Sequence, residues 1–417
     1  MAQESGLIDA LRAPGVATWL DGASLLGVGD TCRHLRNAPE LLAECARRAG
    51  PALHRARTPR DAFRHLVVCD RRRCDGRTDG WRIRGLEVPS YETPVLCGDR
   101  ASLDGGRLAA VDRWGVSVYD LTARRHQTFA ADLNGRVDGV RVCMRGDALA
   151  VYYGPAGPSW DRVRACRLIQ VYITGADADA DATRHVASFG LDTRGVSGTH
   201  CVCWTDADAV LSAVGRQDLL CWDLGDGEPR CVRVSLASGC RAGCLALTYA
   251  EEHRLAVLTS LKHTDLYDMR VAAGPVVSVQ HPTYVRGAGV GGHHTLAVHR
   301  MPNIPEPGAG DFVEAYDLRA PTAPRARLRE TGVLALAGVV RREGGDAVCC
   351  VVRSGERLVA RELCDTRQAP DIPLAGAAET VGVALADEAR LVYAAKGEGL
   401  RVLEYAAPRD GTWCVVA

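Results

Sequence analysis

Apolar and polar residues alternate with a period of two along most of this chain, and short polar turns interrupt the alternation at close intervals. Residues 199–234 show the pattern clearly. Residues 199–204 read as a strand, 205–208 as a turn and 209–214 as a second strand. Residues 215–218 form the next turn, 219–224 a third strand and 230–234 a fourth. Alternation of this kind with Gly and Asp at the turns predicts strands, because successive side chains of a strand point to opposite faces. From about residue 94 to the end no amphipathic helical pattern stands out.

A short phrase recurs within these strands: an aromatic residue, then an acidic one, then an apolar one. It occurs as Val118-Tyr119-Asp120-Leu121, Cys221-Trp222-Asp223-Leu224, Leu266-Tyr267-Asp268-Met269 and Ala315-Tyr316-Asp317-Leu318. Weaker copies are Val171-Tyr172-Ile173, Ala360-Arg361-Glu362-Leu363 and Val402-Leu403-Glu404-Tyr405. The copies begin at residues 119, 172, 222, 267, 316, 361 and 403, so the intervals run from 42 to 53 residues. A four-stranded propeller blade takes about 40–45 residues, more with loop insertions. Seven copies therefore predict seven blades. The third strands are expected at 116–121, 169–174, 219–224, 264–269, 313–318, 358–363 and 400–405.

The Trp222-Asp223 pair and its Tyr-Asp counterparts resemble the end of the third strand in WD-repeat propellers. The resemblance covers residues 94–417 and implies a mainly β, seven-bladed, WD40-like β-propeller, diverged from the family consensus. Such a ring must be closed by one more strand. Residues 412–416 and residues 81–88 both have strand character and both are candidates.

Residues 5–47 follow a different period. Leu7, Ile8, Leu11, Val16 and Leu20 recur at helical spacing, as do Leu25, Leu26, Val28, Cys32 and Leu35, with breakers at Pro14, Gly22 and Pro39. Short helices are predicted. Leu20-Asp21, Leu25-Leu26 and Cys32-Arg33 resemble the second half of an F-box. That resemblance implies binding to the linker subunit of a cullin–RING ubiquitin ligase through Leu20, Leu25, Leu26, Cys32 and Leu35. Residues 48–93 are expected to be a linker plus a ring-closing strand. The run Arg71-Arg72-Arg73 within them reads as a solvated charge cluster.

Composition narrows the function classes. The formal net charge of the 417 residues is zero, so nothing global favours nucleic acid or an anionic membrane. No apolar run reaches the roughly 18–20 residues that span a bilayer, and residues 1–11 lack the pattern of a signal peptide. The 17 cysteines are odd in number, scattered through apolar runs and free of any Cys-x-x-Cys spacing. They predict buried, reduced thiols in a cytoplasmic or nuclear protein rather than zinc ligands or disulfides. Asp177-x-Asp179-x-Asp181 opens like a calcium loop, but its glycine and distal glutamate are replaced by Ala182 and Ser188. His293, His294 and His299 lack a matching carboxylate spacing, and adjacent histidines on a strand point apart. No nucleophile elbow or phosphate loop occurs. Neither a metal, a cofactor nor an enzymatic activity is expected.

One charge pattern remains. A basic residue stands near the turn between second and third strands in each blade: Arg113, Arg162 or Arg164, Arg216, Lys262, Arg300, Arg353 and Lys396. Lys262 and Lys396 are the only lysines of the chain. In a WD-like propeller these turns share one rim beside the channel. Such a rim would attract an acidic or phosphorylated target protein. The resemblances together imply a substrate-recognition adaptor of a ubiquitin ligase, with the linker subunit and cullin on one side and the target on the other. The alternative is a propeller scaffold with no ligase link.

Overall fold

The computed structural model describes residues 20, 24–26, 28, 38–54, 58–76 and 78–83. Between 101 and 405 it describes the strands named below with their shorter turns. Seven four-stranded antiparallel sheets make up the ring. Their third strands run Val116–Asp120, Arg167–Ile173, Asp218–Asp223, His263–Asp268, Asp311–Asp317, Arg357–Cys364 and Arg401–Glu404. Each falls where the repeated phrase places it. The chain is a seven-bladed, WD40-like β-propeller with N-terminal helices.

Where both faces of a blade are buried, the alternation gives way to a continuous apolar run. In blade 6 the second strand, Gly345–Ser354, sends Cys349 and Val351 toward Leu391 and Tyr393 of blade 7. Val348, Cys350 and Val352 of the same strand pack with Ala297, Val313 and Ala315 of blade 5. Each blade is thus a sheet buried on both faces, and neighbouring apolar residues enter two different cores. Gly355 takes φ 62° in the two-residue turn that follows, a conformation that L side chains resist.

The recurring phrase is explained in the same way. Tyr119, Tyr267 and Tyr316 are buried between blades. The aspartate after each aromatic ends the third strand by accepting backbone N–H groups of the next turn. Asp120 Oδ1 takes Thr122 N at 2.8 Å and Ala123 N at 2.7 Å, and Asp317 Oδ1 takes Arg319 N at 2.9 Å. A short carboxylate that bonds its own backbone two residues on is a turn former.

Of the two candidates for ring closure, the N-terminal one is seen. Asp79–Arg82 pairs antiparallel with Arg401–Glu404 in the last blade, Gly80 facing Leu403 and Trp81 facing Val402. Residues 412–416 lie outside the described residues.

Two helices precede that strand: α1, Pro39–His54, and α2, Pro59–Cys74. Thr58 caps α2 by accepting Asp61 N at 3.3 Å, and Pro59 occupies the first turn. One end of α2 buries Ala62, Phe63, Leu66 and Val67 against α1 and against Leu25 and Leu26, which are helical residues themselves. Its other end buries Cys69 against blades 6 and 7. The segment expected to be a linker is therefore, over residues 59–74, a helix joining two cores.

Candidate functional site

A propeller has two faces. One carries the turns between first and second strands, the other the turns between second and third. The helices sit on the first. Arg73, 2% exposed, is the anchor. Its Nη1 donates to Glu362 Oε1 at 2.7 Å, and its Nη2 donates to the carbonyls of Asp387 at 3.2 Å and Glu388 at 3.1 Å. Its guanidinium lies 4.0 Å from the Tyr405 ring centroid. Arg342 completes the lattice. It pairs with Asp70 of α2, donates to Glu362 Oε2 at 3.1 Å and to Cys74 Sγ at 2.7 Å. Burial works against the charge on Arg73, but the Glu362 carboxylate outweighs it and raises the pKa. The solvated reading of the arginine run is thus corrected. Arg71 is exposed and Arg72 donates to Asp79 at 2.8 Å, but helical periodicity turns Arg73 into the protein.

The same face holds the histidines. His293 and His294 lie in the first turn of blade 5, not on a strand. Arg341 Nη2 lies 2.8 Å from His293 Nδ1 and donates to Glu252 Oε1 at 2.5 Å. His294 Nδ1 lies 2.6 Å from His253 Nε2. Burial and the Arg341 charge lower the pKa of His293. His299 stands elsewhere, 3.5 Å from Asp311. Among the described residues no three or more His, Cys, Asp or Glu side chains group as a metal site. The ten described cysteines are free thiols, and burial pushes Cys69 up to about 12.

On the face of the turns between second and third strands, where the basic rim is expected, two of its residues are described at the surface. Lys262 is exposed in the turn of blade 4, with Nζ 5.0 Å from the Tyr284 ring centroid. Arg353 is exposed at the corresponding turn of blade 6. Arg300 departs from the expectation. It lies within the second strand of blade 5, Thr295–Met301, and is 3% exposed. It donates to Glu314 at 2.7 and 2.5 Å and to Thr283 Oγ1 at 2.6 Å. Its place inside the strand turns Arg300 toward its strand neighbours instead of solvent. Burial pushes Glu314 up, but hydrogen bonds from Arg300 and Tyr316 outweigh it and hold the carboxyl below its ordinary value. Arg113, Arg162, Arg164, Arg216 and Lys396 lie outside the described residues, as do Asp177, Asp179 and Asp181.

The described apolar positions of the N-terminal segment face the chain's own helices. Leu25 is 2% and Leu26 9% exposed, both packed inside the chain's own helical core. Leu20 is half-buried against the same core. Cys32 and Leu35 lie outside the described residues. Sequence periodicity marks such leucines as apolar without saying which surface covers them.

No family model matches the chain, and no curated protein matches it in sequence. Solved structures do match. The WD40 domain of coronin from Toxoplasma gondii is 12% identical, with 80% of this chain and 87% of that chain covered and a TM-score of 0.52. A catalytically inactive virginiamycin B lyase from Staphylococcus aureus with quinupristin is 8% identical, with 78% and 99% covered and a TM-score of 0.51. The β-propeller domain of Cps50 (Swd1) from Myceliophteria thermophila is 12% identical, with 79% and 100% covered and a TM-score of 0.49. At these identities the likeness is one of fold, and a WD40 domain and a lyase share it.

Proposed function

We propose that this chain is a protein-interaction adaptor, the substrate-recognition subunit of a cullin–RING ubiquitin ligase. In this reading the N-terminal helical unit takes the linker subunit, and through it the cullin. The open rim of the propeller takes an acidic or phosphorylated target. The observation that carries the reading is the division of the two faces. The helical unit is fixed to one face through Arg73, Glu362, Arg342 and Asp70, and Lys262 and Arg353 are exposed on the other. An adaptor needs a fixed relation between its two binding surfaces, and a buried, fully hydrogen-bonded ion lattice supplies one. The F-box-like residues at 20–36 support the ligase side.

The burial of Leu25 and Leu26 favours a second reading, a propeller scaffold whose helices only pack on it. Interferometry with immobilised full-length chain and a purified linker subunit–cullin complex separates the two. Micromolar or tighter association supports the adaptor. Absence of binding at tens of micromolar removes the ligase and leaves the scaffold.

A further inference from the structure

Among the described residues, a group of cations stands on this rim at the seam between blades 4 and 5. Blade 5 presents a ladder across its four strands there. Val285 of the first strand faces Arg300 of the second. Arg300 of the second faces Phe312 of the third, and Phe312 faces Arg329 of the fourth. Glu314 faces Arg327 one step below. Three guanidiniums surround one ring: Arg300, Arg327 and Arg329 stand 5.2, 5.7 and 5.8 Å from the Phe312 centroid.

Charge and hydrophobicity are both unbalanced at this place. Lys262, Arg300, Arg327 and Arg329 are met by one carboxylate, Glu314, which is fully buried. Among the described residues the nearby acids turn away. Asp265 bonds Ser278 on the opposite face of blade 4, and Asp311 lies beside His299 on the blade 6 side. Among the described residues Lys262 and Arg329 have no carboxylate partner. Beside Lys262, Leu261 and Tyr284 are 37% and 38% exposed. The carbonyl of Leu261 accepts Val285 N at 2.8 Å, which ties the two blades together at this patch.

We infer that this seam docks an acidic peptide segment of a partner protein, with an apolar side chain on Leu261 and Tyr284 and carboxylates on Arg327 and Arg329. The inference rests on the open rim being the partner-binding face. Charge complementarity selects the occupant. Arg327 and Arg329 are two residues apart on a strand, about 6.6–6.8 Å, which suits two separate carboxylates better than one phosphoryl group. Leu261 and Tyr284 reward an aliphatic or aromatic side chain and offer nothing to a phosphodiester backbone. Four strands about 4.8 Å apart span about 14 Å from the first to the last. An extended peptide covers that in about four residues. The cations are also held in place, Arg327 by Glu314 at 2.7 Å and Arg329 by the Phe312 ring. Less ordering is then lost on binding.

The test uses the full chain and a labelled decapeptide carrying one leucine, a three-residue Gly/Ser spacer and two adjacent glutamates, followed by anisotropy. Binding that weakens as salt rises is expected. Arg329→Glu should weaken it about tenfold or more, Leu261→Gln severalfold, and Arg270→Glu on the other face not at all. Circular dichroism and thermal melting check that each variant is folded. Equal affinity for a peptide with serines in place of the glutamates would overturn the inference. So would an unchanged affinity in Arg329→Glu. If Arg353→Glu abolishes capture of a partner and Arg329→Glu does not, the open rim stands and the seam falls. A labelled uridine hexamer that binds more tightly than the peptide, and is lost in Arg329→Glu, would replace the peptide with nucleic acid.

Discussion

The covered face and the open seam use the same residue type to opposite ends. Arg73 and Arg342 are buried, and each is matched to carboxylates, carbonyls or a ring. Arg329 and Lys262 lie at the open surface, held only against aromatic rings. Desolvating a guanidinium is costly unless its geometry and partners are excellent. The covered face therefore specifies one docking position for α2 and tolerates little change. At the seam the cations keep their water, add little stability and remain available to another molecule. Arg300 belongs to both regimes, because it is buried with Glu314 yet forms the floor under the exposed cations.

The largest expected effect lies on the covered face. Arg73→Met leaves Glu362 with Arg342 alone and two carbonyls without their donor. About 3 kcal/mol or more of stability should be lost, read by urea denaturation of the full chain. Hydrogen exchange should show α2 losing its protection first. Arg329→Met should change stability by less than about 0.5 kcal/mol. Equal losses in the two variants would erase the contrast between the faces.

A second effect reaches the seam from beneath. His281 is 1% exposed, 2.9 Å from Thr264 Oγ1 and edge-on to Tyr316. Burial, with the Arg300 charge, lowers its pKa from 6.5 to about 4. The unfolded chain therefore takes up this proton first, and stability falls as pH drops from about 6.5 toward about 4. The loss from this group should approach about 3 kcal/mol at the low end. Denaturation midpoints measured across that range should flatten in His281→Gln. An unchanged pH slope in that variant would show that other groups carry the acid sensitivity.

The smallest effect concerns Lys262→Ala. It removes an exposed cation from the Tyr284 ring, so stability should move by less than about 0.5 kcal/mol while association with an acidic partner weakens measurably. A large drop in melting temperature would make Lys262 a structural residue and not a contact.

The blade count and the third strands were legible in the sequence because each depends on local physics. A strand buried on both sides needs apolar residues at every position, and its turn needs Asp or Gly. The phrase around Tyr119, Tyr267 and Tyr316 carries both requirements within four residues. Closure by Asp79–Arg82 was only half legible. Its strand character is local, but its partner, Arg401–Glu404, lies some three hundred residues away. The roles of individual charges were not legible. Arg71 and Arg73 read alike in a run of three, and Arg300 reads like Arg353. The tertiary structure separates them by placing Glu362 beside Arg73 and Glu314 beside Arg300, leaving Arg353 in solvent. Periodicity tells which side of an element is apolar. Only the packed fold decides which element covers it, and a charge is spent or left available according to what lies across that contact.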